Sequence, residues 1–363
     1  MKKFIFLLLT GNIFIAAVHA QSWNLTGNAG INPSTNFIGT TDAKQLRFRV
    51  KNFMSGLIEY DPSIANTTFG YQAFYTNTSG KFASAFGTQA LSQNTTGYAN
   101  TAIGAKALLV NDIGSYNVAL GARVLESNKG DNNTAAGYAS LFKNTDGYNN
   151  SGYGYKSLFV NTTGYENTAS GYTSMYSNTV GIANSAFGEG SLYSNTSGSR
   201  NTAIGSRSMY ANTTGLSNTA VGNTALREGK TGSYNTAVGT GALYFTNASA
   251  NTATGSLALY SNTTGAYNSA YGTNSLYRIV GTGNSAFGYN SGINSISGNY
   301  NSIFGYNAMA TYSGSNNTAI GTNTVVTADG ITNSTMLGNE AVATASDQVR
   351  IGNSLVTSIG GQV

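Results

Sequence analysis

The chain has 363 residues with 46 Gly, 2 Pro, no Cys and one His, only 9% charged residues, and a formal net charge of +5. The one histidine, His19, lies in a segment that reads as a cleaved leader, so the mature chain is expected to lack both His and Cys. That excludes Ser-His-Asp and Cys-His nucleophiles, His or Cys zinc sites and haem ligation.

The leader comes first in the chain. Lys2 and Lys3 precede apolar runs over residues 4–10 and 13–18, and Val18-His19-Ala20 stands before Gln21. This is the order of a signal peptide, assigned to residues 1–20. Gly11 and Asn12 interrupt a run already short for a bilayer span, so the chain is expected to be secreted to the cell surface or beyond, and no later segment is long and apolar enough to cross a membrane. What charge remains is too weak and dispersed to suggest a nucleic-acid partner. Without cysteine, an exported chain must be stabilised by packing or assembly.

Residues 21–62 form an N-terminal cap or attachment segment. They hold the only Trp (Trp23), both prolines (Pro33, Pro62) and a basic cluster of Lys44, Arg47, Arg49 and Lys51. A stack of strands needs its open end covered, and the basic residues read as a solvated edge.

Residues 63–342 are a repeat. An anchor glycine recurs seventeen times from Gly70 to Gly338; twelve of the sixteen intervals are 17 residues and four are 16. Four residues before it stands Asn in fifteen units, including Asn100, Asn117, Asn184, Asn201 and Asn218. Three before is Thr or Ser in sixteen units, and two before is Ala in thirteen, such as Ala102 and Ala203 ahead of Gly104 and Gly205. One before is usually apolar but tolerates Ser170 and Thr254, four after is apolar in sixteen units and mostly Leu or Met, and five after is often aromatic: Tyr176, Tyr193, Tyr210, Tyr260. A second, turn glycine lies seven before the anchor. The unit reads G-x-x-N-T-A-x-G-x-x-A-L-Y-x-N-T-T.

N-T-A-x-G alternates like a strand, and Asn-Thr-Thr-Gly supplies turn chemistry through Asn and Gly that tolerate the left-handed region. So short a unit cannot bury a core alone and must stack. The predicted fold is all-β, a repeat β-solenoid or β-roll of about seventeen 16–17-residue coils, roughly 80 Å long at one strand spacing per coil. In such a stack the Asn column forms an amide ladder, and the Ala and Gly columns mark close backbone approach. The variable apolar column reads as a subunit interface or a partly wet face. The 16-residue units shorten after the anchor glycine, so that side is the tolerant loop.

On these columns the array resembles the head repeats of trimeric autotransporter adhesins. Asn100-Thr101-Ala102-Ile103-Gly104 and Asn201-Thr202-Ala203-Ile204-Gly205 match that family's core pattern, although the family's unit is shorter. The resemblance implies a left-handed roll with three chains side by side. The chain is also similar to secreted repeat-bearing surface proteins of Bacteroidetes. The residues that carry this likeness are Trp23-Asn24-Leu25-Thr26-Gly27-Asn28-Ala29-Gly30, Asn36-Phe37-Ile38-Gly39-Thr40-Thr41-Asp42, Asp347-Gln348-Val349-Arg350-Ile351-Gly352-Asn353 and Val356-Thr357-Ser358-Ile359-Gly360-Gly361. The last two stretches lie in a tail, residues 343–363, of the kind that precedes an endosialidase-type intramolecular chaperone.

The leading functional expectation is a secreted structural or adhesive fibre subunit, a homotrimer able to join end to end into filaments. It would present rows of Asn, Thr and Tyr for many weak contacts with a glycan or protein ligand. Tyr176, Tyr193, Tyr210 and Tyr260 are the candidate contact face, against the alternative that they pack on neighbouring chains. Ice binding through the Thr column is an alternative. A polysaccharide-processing enzyme is a weaker one, because the array's carboxylates occupy different columns, Asp131 and Asp146 coming nearest. No pattern calls for a catalytic residue, cofactor or metal, and the recurring Asp of a calcium-stacked roll is missing.

Overall fold

The computed structural model describes residues 38–311 and 314–359; the leader, Trp23, Pro33 and Gly360-Gly361 lie outside the described residues. Among these the protein is all-β with no helix, a β-solenoid of about seventeen stacked coils. It begins with a hairpin, β1 (Leu46–Val50) and β2 (Phe53–Ile58), paired antiparallel. β2 pairs antiparallel with β3 (Thr67–Phe69), the first strand of the array. From there one three-residue strand per coil adds in parallel, β4 (Ser84–Phe86), β5 (Thr101–Ile103) and onward through β18 (Thr318–Ile320). The ladder continues through β20 (Thr335–Leu337) to β22 (Val349–Ile351), so the segment assigned as a tail adds a further strand. A two-stranded sheet of β19 (Val325–Val326) and β21 (Val342–Ala343) lies beside it.

Register is strict. Ala85 pairs with Ala102, Ala102 with Ala119 and Ala203 with Ala220, so each repeat column becomes a physical column. Within each strand only the middle residue is buried, and its neighbours face outward. The buried Ala faces the Leu or Met column across a thin interior, and both are inaccessible to solvent, as Ala102, Leu108, Ala203 and Leu192 show. Large opposite small fills the gap. One coil inverts the pair: Gly292 stands where Leu is usual and Ile303 where Ala is usual, and a Cβ added to Gly292 would sit 2.9 Å from Ile303 Cδ1.

Tight closure comes from left-handed residues. The anchor glycines have φ between +105° and +146°, a range that suits glycine. The residues two and four after the anchor are also left-handed, for example Lys106 (φ 59) and Leu108 (φ 51). A left-handed Leu costs about 1–2 kcal/mol, which full burial, contributing about 1.5–3 kcal/mol, offsets. These runs form a second set of inter-coil bonds: Leu91 N–H to the Ala107 carbonyl (3.0 Å) and Gln93 N–H to the Leu109 carbonyl (2.9 Å). The Asn-x-x-Gly turn makes a third, as Thr95 N–H and Oγ1 both reach the Asp112 carbonyl at 2.8 Å. That turn does not use left-handed Asn or Gly, contrary to the sequence expectation. The four short coils each lose their residue within it.

The anchor glycine is set by distance as well as by φ. At Gly205 (φ +127) a Cβ would lie 2.5 Å from the Gly222 carbonyl oxygen. Gly205→Ala should therefore destabilise by on the order of 3 kcal/mol, and hydrogen exchange should show lost protection centred on the coils at Gly205 and Gly222. Unchanged protection there would contradict the close-approach account.

Candidate functional site

The strand asparagines build the interior amide ladder. Asn184 Nδ2 donates to Asn167 Oδ1 (3.1 Å) and to the Gly198 carbonyl (2.9 Å). Its Oδ1 accepts the backbone N–H (3.0 Å) and Nδ2 (3.2 Å) of Asn201. Two donors and two acceptor sites are all that an amide has, and all four are used. Asn201 and Asn218 repeat the pattern. Asn100 and Asn117 keep the Oδ1-to-backbone bond and the bond to the turn-glycine carbonyl.

A second ladder was missed from sequence. The turn asparagines Asn94, Asn111, Asn128, Asn144, Asn161, Asn178, Asn195 and Asn212 are buried. Each donates to the Oδ1 of the one before, at 2.6 Å for Asn161 to Asn144 and 2.8 Å for Asn212 to Asn195. Their recurrence in Asn-Thr-Thr-Gly was the available signal, but in one sequence a repeated turn former and a repeated ladder residue look alike.

The tyrosines form stacks. Phe142, Phe159, Tyr176, Tyr193 and Tyr210 follow one another with ring centroids 5.0–5.2 Å apart and planes within 10°. The Arg227 guanidinium then sits 5.6 Å from both Tyr210 and Tyr244, and the stack resumes through Tyr260 and Tyr277. Ring faces are thus covered by neighbouring coils. Half-buried edges and hydroxyls remain for solvent.

The outward face of the sheet carries two columns. The Thr/Ser column is half-buried, and the column beside it is apolar and exposed in most coils, from 36% at Val238 to 46% at Ile103, with half-buried Ala136, Ser170 and Thr254 interrupting it. It includes Phe86, Leu120, Phe187, Ile204, Phe287 and Ile320. Among the three-residue strands only β14 (Thr252–Thr254) has Thr at both outward positions. Asp131 accepts from the Ser115 backbone N–H (2.8 Å), and Glu126, Glu189 and Glu228 pair with Arg123, Arg207 and Arg227.

Comparison with family models finds no match to this chain, and comparison with curated proteins finds none either.

Two outcomes follow from the columns. Asn184→Asp removes both donors in a buried site and should cost about 3 kcal/mol at neutral pH. Acidification should ease that loss, because a protonated Asp regains one donor; a denaturant series at neutral and acidic pH measures it. Burial, and then charge on Tyr210 and Tyr176, push Tyr193 ionisation above its ordinary 10.0. The folded value exceeds the unfolded one, so this stability is complete below the unfolded value and is lost as pH rises through the folded value. Tyr193→Phe should leave the neutral-pH unfolding midpoint nearly unchanged and make its alkaline decline shallower. An equally steep decline would argue against this assignment.

Proposed function

We propose that this protein is a subunit of a secreted structural and adhesive fibre, in which three solenoids associate side by side through the outward face of the sheet. The observation that carries the reading is the exposed apolar column, which recurs along the array from Phe86 to Leu337 with breaks at Ala136, Ser170 and Thr254. Soluble monomers rarely leave so long an apolar stripe open to water. Its residues recur at the pitch of the coil, so the surface best matched to it along its length is another copy of the same solenoid. The resemblance of the Asn-Thr-Ala-Ile-Gly units to adhesin head repeats supports the same arrangement. Such a bundle would leave rows of tyrosine hydroxyls and turn threonines outward, and adhesion would come from many weak contacts along a stiff rod. An ice-binding surface would need paired Thr columns, and the bulky apolar side chains beside the Thr/Ser column make a poor lattice match.

Light scattering with electron microscopy tests this. The expected result is a three-chain mass and rods. Phe187→Glu with Ile204→Glu, both on the exposed column, should reduce the mass to one chain while the circular dichroism spectrum stays the same. A parent chain that is a stable monomer sinks the reading.

A further inference from the structure

The coils anchored at Gly288, Gly305 and Gly321 depart together from the common pattern. The aromatic column stops at Tyr277 and continues as Ile293 and Ala310. In the same stretch the column two after the anchor, mixed elsewhere, is Asn four times running: Asn274, Asn290, Asn307 and Asn323. All four are left-handed, φ 51–57, a conformation that Asn tolerates better than most residues. Their amides form a third ladder, this one at the surface: Asn274 Nδ2 to Asn290 Oδ1 at 3.0 Å, Asn290 to Asn307 at 3.1 Å and Asn307 to Asn323 at 3.3 Å. With the rings gone, a groove of about 350 Å³ opens along Asn290, Asn307 and Asn323, bordered also by Asn294, Ile293 and Ala310.

We propose that this groove binds a neutral oligosaccharide lying along the solenoid axis. Within the surface ladder Asn290 and Asn307 each spend one Nδ2 hydrogen and one acceptor site of Oδ1. Each amide therefore keeps one donor and one acceptor for a ligand. Neighbouring hydroxyls of a pyranose, which donate and accept in pairs, complement that set. The apolar lining from Ile293 and Ala310 suits the C–H face of the ring. Among the described residues no side chain lining the groove is charged, which favours a neutral over an acidic glycan. A peptide would seek unpaired backbone, whereas Asn290 and Asn307 N–H bond to the Thr273 and Tyr289 carbonyls and Met309 N–H to that of Thr324. Coils about 4.8 Å apart match the length of one extended pyranose unit, so successive amides meet successive sugars. The groove supplies a ligand class for the adhesive role and rests on that reading only for its biological purpose.

The test uses the intact chain with tetrasaccharides of β-1,4-glucose, β-1,4-N-acetylglucosamine, β-1,4-mannose and α-1,4-glucose, beside an oligogalacturonate and a Gly-Ser peptide. Saturation-transfer NMR detects binding and calorimetry measures it. At least one neutral tetrasaccharide should bind. Asn307→Ala should weaken it about fivefold, and Ala310→Trp, which fills the groove, should abolish it with the thermal melt unchanged. If the Trp variant fails to fold, Asn307→Ala alone decides. No neutral ligand, a preference for the uronate or peptide, or parent-like binding by Asn307→Ala each overturns the proposal. A three-chain fibre that binds none of these sugars defeats the groove and leaves the fibre standing. A monomer that binds them does the reverse.

Discussion

Everything in this fold depends on the saturation of one buried amide. The strand asparagine has two donors and two acceptor sites, and in coils such as that of Asn184 each meets a partner in the coil before or after. A buried polar group left unpaired costs about 1–3 kcal/mol, so this column resists a slip in register, and at Ala83, where the amide is missing, the backbone N–H still bonds to Asn66 Oδ1. The in-register pairing of seventeen units follows from that constraint. Asp would lack the donors, and Gln would overreach. At Ser334, near the end of the array, the hydroxyl bonds to the Ala345 carbonyl, at the turn-glycine position, and to that of Thr332.

The amide ladders also explain why so little charge and no cysteine suffice. Each coil bonds to the next along the strand, along the left-handed run and around the turn, so stability accumulates by nearest-neighbour contact. The interior is too thin for a conventional core. Its one rule is that large faces small, and the exchange of Gly292 for Leu with Ile303 for Ala shows the pair conserved as a volume while both identities change. The left-handed Leu positions show the same balance, since burial offsets the conformational cost.

The β-solenoid architecture was legible because period, alternation and column composition agree: sixteen intervals of 16 or 17 residues admit only stacking. The anchor glycine and strand asparagine were legible for the same reason. The turn asparagines were not, because Asn before Thr-Thr-Gly has a sufficient local explanation that hides its inter-coil bonds. The tyrosine column was visible, but not the orientation of its rings, because stacking depends on how the side chains lean along the axis. The surface ladder of Asn274, Asn290, Asn307 and Asn323 was obscured by its place in a column that elsewhere holds Gln, Lys, Arg, Ala, Thr, Gly, Leu and Glu.

That last contrast indicates where function can reside in such a molecule. Columns whose side chains face inward are held by hydrogen bonds or by volume, and a change in one coil must be answered in the next. The apolar strand column, the aromatic column and the column two after the anchor face outward, and the fold asks of them only that they not disturb the backbone. A recurring outward column provides length, as the exposed apolar stripe does for association between solenoids. A break in uniformity provides locality: replacing aromatic rings by Ile293 and Ala310 opens space, and aligning amides beside it supplies directionality. One scaffold can therefore carry a distributed contact along its whole length and a discrete site at one position, because the inward ladders keep the register of both.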